Sequence, residues 1–200
     1  AHETAHVLAH RLAGGERERE LSKMSALNEG LAQWIENQVS GGETLPELGR
    51  LQAAIVSRRH LVTPEQLTDI ESLARNADRN LQYPLGAVLV DVLVNRYGSQ
   101  APRRLLMVLA DPNFPRDLQG PELWYGAFQA ARFDLALVFD DYARRLKSWE
   151  EEFAERIANL PRPRGSLVLD EDLLGVEVRF DGQLPADWHA VVRFRPKEDS

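Results

Sequence analysis

The residues best suited to chemistry stand at the start of this sequence, in the segment His2-Glu3-Thr4-Ala5-His6. Two histidines four residues apart lie on one face of a helix, where both imidazoles can bind a single zinc ion. The glutamate between them points at the water on the metal instead of the metal, as a general base would. This spacing predicts a zinc site that activates water, with His2 and His6 as ligands and Glu3 as base.

A zinc ion that activates water needs a third protein ligand and one open position. Glu29 is the candidate: it lies in an Asn-Glu-Gly-Leu-Ala segment, and twenty-two residues separate it from His6. Glu16, Glu18 and Glu20 can also bind zinc, but they belong to a charged run of the kind that usually faces solvent. The chain has no cysteine, so thiolate ligands and disulfides are excluded, and any zinc must rest on histidine and carboxylate.

Together the two motifs resemble those of the gluzincins, the thermolysin-like and aminopeptidase-N-like superfamily of zinc metallopeptidases. Its members carry His-Glu-x-x-His followed by Asn-Glu-Gly-(Leu/Phe)-Ala, which residues 2–6 and 28–32 match, at a longer spacing than aminopeptidase-like members have. The resemblance implies a zinc-dependent peptidase that hydrolyses peptide bonds with a metal-activated water. It implies Zn2+ as cofactor, held by His2, His6 and Glu29, and a peptide or protein as substrate.

The segment Tyr83-Pro84-Leu85-Gly86 is similar to the Tyr-Glu-Lys-Gly segment with which aminopeptidase-like gluzincins place a phenol beside the zinc. The resemblance implies a catalytic role for Tyr83, whose hydroxyl would donate a hydrogen bond to the oxyanion that forms during hydrolysis. Pro84 and Leu85 depart from the family's charged pair. A tyrosine that starts a helix and packs on the core is therefore the alternative interpretation.

The elements that must position these residues are mostly helical. Periodicity, caps and breaking glycines predict helices at 2–12, 28–39, 45–58, 63–76, 83–97, 103–110 and 122–157, the last in two pieces that meet near residues 133–134. Residues 16–25 are interpreted as a loop or a short helix. The 83–97 segment is apolar almost all round, so we expect it at the centre of the fold. Residues 1–150 resemble the helical lobe of small gluzincins.

The pattern changes after a Pro-rich and Arg-rich stretch at residues 160–165, and short strands are predicted at 166–169, 176–180 and 189–194. We therefore expect a mainly α fold, the helical lobe of a gluzincin-type metallopeptidase with a small C-terminal β-element. The zinc-binding lobe would cover residues 1–160, and a linker with a small β-strand appendage would cover 161–200. The sequence assigns no function to the appendage.

Composition limits the classes of partner. A formal net charge of -7 argues against a nucleic-acid or anionic-membrane surface, and no apolar run reaches the roughly 18 residues of a membrane span. The chain lacks an initiator Met and begins in the turn that carries the first histidine, so we expect a piece of a longer protein. Gluzincins grip the substrate with an edge strand of a β-rich lobe before the zinc helix. The resemblance implies such a missing N-terminal lobe of the same chain.

Several alternatives stay open. The chain could be a non-catalytic or truncated peptidase-like lobe that acts as a scaffold or protein-binding module, or a purely structural helical domain. A purely structural helical domain predicts that the side chains of His2, His6 and Glu29 do not converge.

Overall fold

A computed structural model describes residues 1–14, 18–41, 45–58, 62–69, 71–73, 79–160, 162–170 and 173–181. The chain forms two compact units, Ala1–Phe153 and Ala154–Ser200. In the part that the structure describes, the first unit is built from helices, and the second contains a short helix and two strands. The expected mainly α fold is confirmed.

The helices of the first unit are α1 (His2–Leu12), α2 (Glu18–Lys23), α3 (Ser25–Ser40), α4 (Glu47–Arg58), α5 (Gln82–Tyr97), α6 (Ala101–Ala110), α7 (Gly120–Ala130) and α8 (Leu135–Glu152), with short 3-10 helices at Pro64–Thr68 and Arg79–Leu81. Helix α1 has the predicted bounds. Helix α3 begins three residues earlier than predicted, which places Glu29 in its second turn. Among these described helices, none is both long and apolar enough to span a membrane.

Helix α5 runs through the core of the first unit, as its apolar sequence predicts. The buried residues on it include Leu85, Leu89 and Leu93, and α3, α4, α6 and α8 pack against it. Each such leucine contributes about 1.5–3 kcal/mol through burial. The helix ends at Gly98, whose φ of 87° is a left-handed conformation that glycine adopts without strain. The buried α5 is the frame against which α3 is held.

Helix α1, which carries the two candidate zinc histidines, packs on α3 and α6. Its buried residues are Ala5 and Ala9, one turn apart on the helix. Because alanine side chains are small, the α1 backbone can lie close to its neighbours. The two histidines stand next to this buried alanine stripe, where they can reach side chains on α3.

The helix predicted at 63–76 is interrupted and shorter than expected. The expected capping box is present, but the helix is of the 3-10 type and ends at Thr68. The Thr68 hydroxyl donates to the carbonyl of Glu65 at 2.6 Å, and the Asp69 carboxylate accepts from two backbone N–H groups that begin a new helical turn at 71–73. An aspartate that caps a new turn therefore interrupts the helix. Residues 74–78 lie outside the described residues.

The second unit contains α9 (Ala154–Ala158) and the strands β1 (Arg162–Asp170) and β2 (Leu173–Asp181). The strands pair antiparallel, with Arg162 opposite Asp181 at one end and Asp170 opposite Leu173 at the other. They cover two of the three predicted strands and are longer than predicted. The third, at 189–194, lies outside the described residues. The division between units places α9 with the strands, whereas the sequence put the boundary at residue 160.

Candidate metal centre

Two glycines set the distance between α3 and α5. Gly30 and Gly86 meet where the helices cross: a Cβ at position 86 would lie 2.8 Å from the Gly30 Cα and would overlap the carbonyl oxygen of Ala26. Backbones approach this closely only where no side chain intervenes. Gly30 directly follows Glu29, and Gly86 stands three residues after Tyr83. We call this contact the glycine crossing, and it fixes the two motifs relative to each other.

The side chains of His2, His6 and Glu29 converge where α1 packs on α3, and we call these three residues the His-Glu cluster. His6 Nε2 lies 3.1 Å from Glu29 Oε2 and 3.2 Å from His2 Nε2. His2 Nε2 lies 3.6 Å from the same glutamate oxygen. The side chains are 21%, 23% and 20% exposed, so solvent reaches the cluster. The structure thus brings together the three residues that the sequence singled out as ligands.

The separations within the His-Glu cluster fit a tetrahedral zinc site. Ligand atoms about 2.0–2.1 Å from a zinc ion in tetrahedral geometry lie about 3.3–3.4 Å from one another. The three observed distances, 3.1, 3.2 and 3.6 Å, bracket that value. Two imidazole nitrogens and one carboxylate oxygen are also the ligand set of catalytic zinc sites, which keep a fourth position for water.

The remaining nitrogen of each imidazole has an oxygen partner on α3. His6 Nδ1 lies 3.2 Å from Asn28 Oδ1, and His2 Nδ1 lies 3.5 Å from Glu36 Oε2. An oxygen beside Nδ1 favours the tautomer that carries its proton there, which leaves the Nε2 lone pair free to bind a metal. The motifs in the sequence do not predict these contacts of Asn28 and Glu36. The spacing of seven residues between Glu29 and Glu36 was the available signal, because it returns to the same helix face.

The two candidate catalytic residues flank the cluster. Glu3 is exposed in the first turn of α1, about 60° around the helix from His6 for 3.6 residues per turn. The ring of Tyr83 is partly buried, and its centroid lies 5.9 Å from that of His2. The phenol ring therefore neighbours the cluster. The roles of Glu3 as base and of Tyr83 as oxyanion donor stay predictions.

The other carboxylates that could serve as the third zinc ligand are not among the side chains that the structure describes. Glu16 and the side chains of Glu18 and Glu20 lie outside the described residues. Within the part of the chain that is described, Glu29 is the carboxylate that joins the two histidines in a group able to hold a metal ion. The choice of Glu29 therefore rests on its place beside His2 and His6.

A buried carboxylate on α5 forms polar contacts with both α3 and α8. Asp91 on α5 accepts from Trp34 Nε1 at 3.4 Å and from Asn95 Nδ2 at 2.9 Å, and it pairs with Arg145 on α8 at 3.5 Å. Asp91 is 7% exposed, so its charge is stabilised by these donors instead of by water. Trp34 lies between Glu29 and Glu36 along α3, so this network holds the helix that supplies both glutamates.

Comparisons with known proteins give no relative for this chain. No protein-family model matches it, and neither curated proteins nor solved structures match it.

Proposed function

We propose that this chain carries the zinc site of a gluzincin-type metallopeptidase, which hydrolyses peptide bonds with a metal-activated water. The observation that carries the proposal is the convergence of His2, His6 and Glu29 at the separations of a zinc tetrahedron. The three residues come from two motifs on different helices, and both motifs resemble those of one peptidase superfamily. Zn2+ is the proposed cofactor, and a peptide or protein is the proposed substrate.

Each residue of the site has a distinct role in this proposal. His2, His6 and Glu29 hold the ion and leave one position open to solvent. A zinc ion held there would supply Lewis acidity and make a bound water more acidic. Glu3 takes the proton of the attacking water, and the Tyr83 hydroxyl donates a hydrogen bond to the oxyanion of the substrate.

The competing explanation is a structural cluster of hydrogen bonds that only joins α1 to α3. Two features favour the metal site over it. His2 Nε2, His6 Nε2 and Glu29 Oε2 lie 3.1–3.6 Å from one another. Each imidazole also has a separate oxygen partner at Nδ1. The cluster also keeps about a fifth of each side chain in solvent, as a site that admits water and substrate requires.

A comparison of two variants tests the proposal. In the complete protein, Glu3→Gln is expected to keep its zinc while peptidase turnover falls by roughly 10²–10⁴-fold, because Glu3 moves protons and does not bind the metal. His6→Ala is expected to lose both the zinc and the activity. The control is Glu122→Gln, which removes an exposed carboxylate from the first turn of another helix.

The outcomes separate the alternatives. Equal loss of zinc in Glu3→Gln and His6→Ala would show that Glu3 is a ligand and that its role as base is wrong. Zinc binding by the wild type without hydrolysis of any peptide in a broad library would instead favour the non-catalytic scaffold or protein-binding lobe.

A further inference from the structure

We propose that a cavity between α5 and α8 binds the phosphate group of a small soluble phosphomonoester. Three arginines line this cavity, and we call it the arginine cleft. No residue of the His-Glu cluster lines it, and no zinc ion takes part in the binding. The inference therefore goes beyond the proposed peptidase function and does not depend on it.

The spacing of residues along the two helices forms the arginine cleft. Helices α5 and α8 pack against each other, and a cavity of about 530 Å³ remains between them. Binding sites for small molecules have volumes of about 300–1,000 Å³, so the cleft has room for a small ligand. On each helix the lining residues are three and four positions apart, which is the spacing of one helix face. They include Val92, Asn95 and Arg96 on α5, and Asp141, Arg144 and Arg145 on α8.

Positive charge exceeds negative charge in the arginine cleft. Among the described residues that line it, three are arginines and one, Asp141, is a carboxylate. The buried Asp91, which pairs with Arg145, adds a second negative charge. Three positive charges against two negative charges leave a local excess of one, although the whole chain has a formal net charge of -7. The field of the cleft therefore attracts an anion.

The guanidinium groups have more donors than the internal ion pairs use. Each guanidinium carries five N–H groups, whereas Asp141 accepts from one nitrogen of Arg96 and from one nitrogen of Arg144. Arg145 Nη1 lies 3.5 Å from Asp91 Oδ2, which is longer than the about 2.7–2.9 Å of a charge-assisted hydrogen bond. The cleft can therefore offer N–H donors of several arginines to one ligand.

A phosphate group suits these donors better than a carboxylate. A phosphomonoester has three terminal oxygens and a charge of about -1.5 to -2 at neutral pH. It can accept from two guanidinium groups at once, and arginine binds phosphate oxygens in a bidentate manner. The side chains of Arg144 and Arg145, consecutive on α8, are 71% and 38% exposed. They can therefore turn toward a ligand that enters from solvent.

The competing interpretation is an ion-pair network that only joins α5 to α8. Such a network needs no excess of arginine over carboxylate, and close-packed side chains would fill the space between the helices. The excess charge and the cavity favour a ligand site instead. A network alone would respond to the ionic strength of the solution, whereas a site would distinguish phosphate from other anions at the same ionic strength.

The test is the binding of inorganic phosphate and of glycerol phosphate to the zinc-free full chain, with chloride and acetate as reference anions at equal ionic strength. Removal of zinc excludes binding of phosphate to the metal. Calorimetric titration measures the dissociation constant, and a rise in the melting temperature gives a second readout. Both phosphates are expected to bind, with acetate at least about tenfold weaker because it has fewer oxygens and less charge.

Variants of the cleft arginines connect the binding to the site. Arg145→Gln and Arg144→Gln are each expected to weaken the binding of glycerol phosphate about 10–100-fold, as loss of a charged hydrogen-bond donor does. Arg144 is the most exposed of the three arginines, so its variant tests the site even if Arg145→Gln, which removes a partner of the buried Asp91, does not fold. The control Arg103→Gln removes the same charge from an exposed position on α6 and should keep the wild-type affinity.

Several outcomes would overturn the arginine cleft as a phosphate site. One is a wild type that binds the two phosphates no more tightly than chloride or acetate, and another is an equal loss of affinity in Arg103→Gln and Arg145→Gln. Sedimentation with vesicles that contain phosphatidic acid, without binding of glycerol phosphate, would replace the soluble ligand by a lipid headgroup. Because all these measurements are made without metal, failure of the cleft leaves the proposed zinc site standing, and a chain that binds no zinc can still bind phosphate.

Discussion

Gly30 on α3 and Gly86 on α5 pack backbone against backbone, and each belongs to the motif that supplies a residue of the candidate site. Gly30 follows the proposed ligand Glu29, and Gly86 is three residues after Tyr83, the proposed oxyanion donor. The glycine crossing therefore determines both how closely the two helices pack and how far the phenol stands from the His-Glu cluster.

Substitution at the glycine crossing is expected to reduce stability and zinc affinity together. In Gly86→Ala the new methyl group meets the backbone of α3, which cannot move aside as a side chain can, so the free energy of unfolding should fall by about 1–3 kcal/mol or more. Urea unfolding measures this change. Gly49→Ala is the control, because its nearest neighbour is a flexible leucine methyl at 3.1 Å. Equal stability of both variants would contradict the close approach.

Loss of the Tyr83 hydroxyl is expected to slow the reaction without changing substrate binding. In Tyr83→Phe, kcat should fall by about 10²–10³-fold with KM nearly constant, because the hydroxyl acts on charge that develops only in the transition state. Zinc content should not change. The control Tyr125→Phe removes the hydroxyl of an exposed tyrosine on α7. An unchanged kcat in Tyr83→Phe would leave only the packing role.

The helices that place the site were largely predictable, because their signals are local. Gly98 predicts the end of α5 from the sequence, and the helix ends there in the structure. The apolar run before Gly98 predicts a buried helix, and its residues are buried. The early start of α3 at Ser25 was missed because no strong cap marks that end. The break at Asp69 was misread because a capping aspartate competes with helix continuation, and tertiary packing decides between them.

Acid is expected to weaken the contact between α5 and α8. Arg96 Nε donates to Asp141 Oδ2 at 2.5 Å, Arg144 also donates to this carboxylate, and these bonds hold the pKa of Asp141 below its usual range. Because the pKa of Asp141 is lower in the folded state than in the unfolded state, these bonds contribute fully to the free energy of unfolding above about pH 4, the usual pKa of Asp. Their contribution disappears as the pH falls through the lower pKa of the folded state.

The variant Asp141→Asn is expected to lose about 0–1 kcal/mol at pH 7, because the pair is partly exposed to solvent. Its difference from the wild type should shrink toward zero in acid. Urea unfolding as a function of pH measures this, with Asp140→Asn as a neighbouring exposed control. A difference that stays constant down to the lowest pH would contradict the pairing as the cause.

The candidate site itself was predictable only in part. The four-residue spacing of His2 and His6 requires nothing beyond helix geometry, and Glu29 followed from its motif. The contacts of Asn28 and Glu36 with the imidazoles were not foreseen. They depend on how α1 lies across α3, which the sequence of either helix alone does not determine.

The zinc content of the purified protein tests the central claim most directly. After incubation with excess Zn2+ and removal of free metal, mass spectrometry under native conditions should find one zinc ion per chain. His6→Ala and Glu29→Ala should retain almost none, whereas Glu122→Ala should retain the wild-type amount. A wild-type chain without zinc, or equal zinc in the wild type and both ligand variants, would contradict the account.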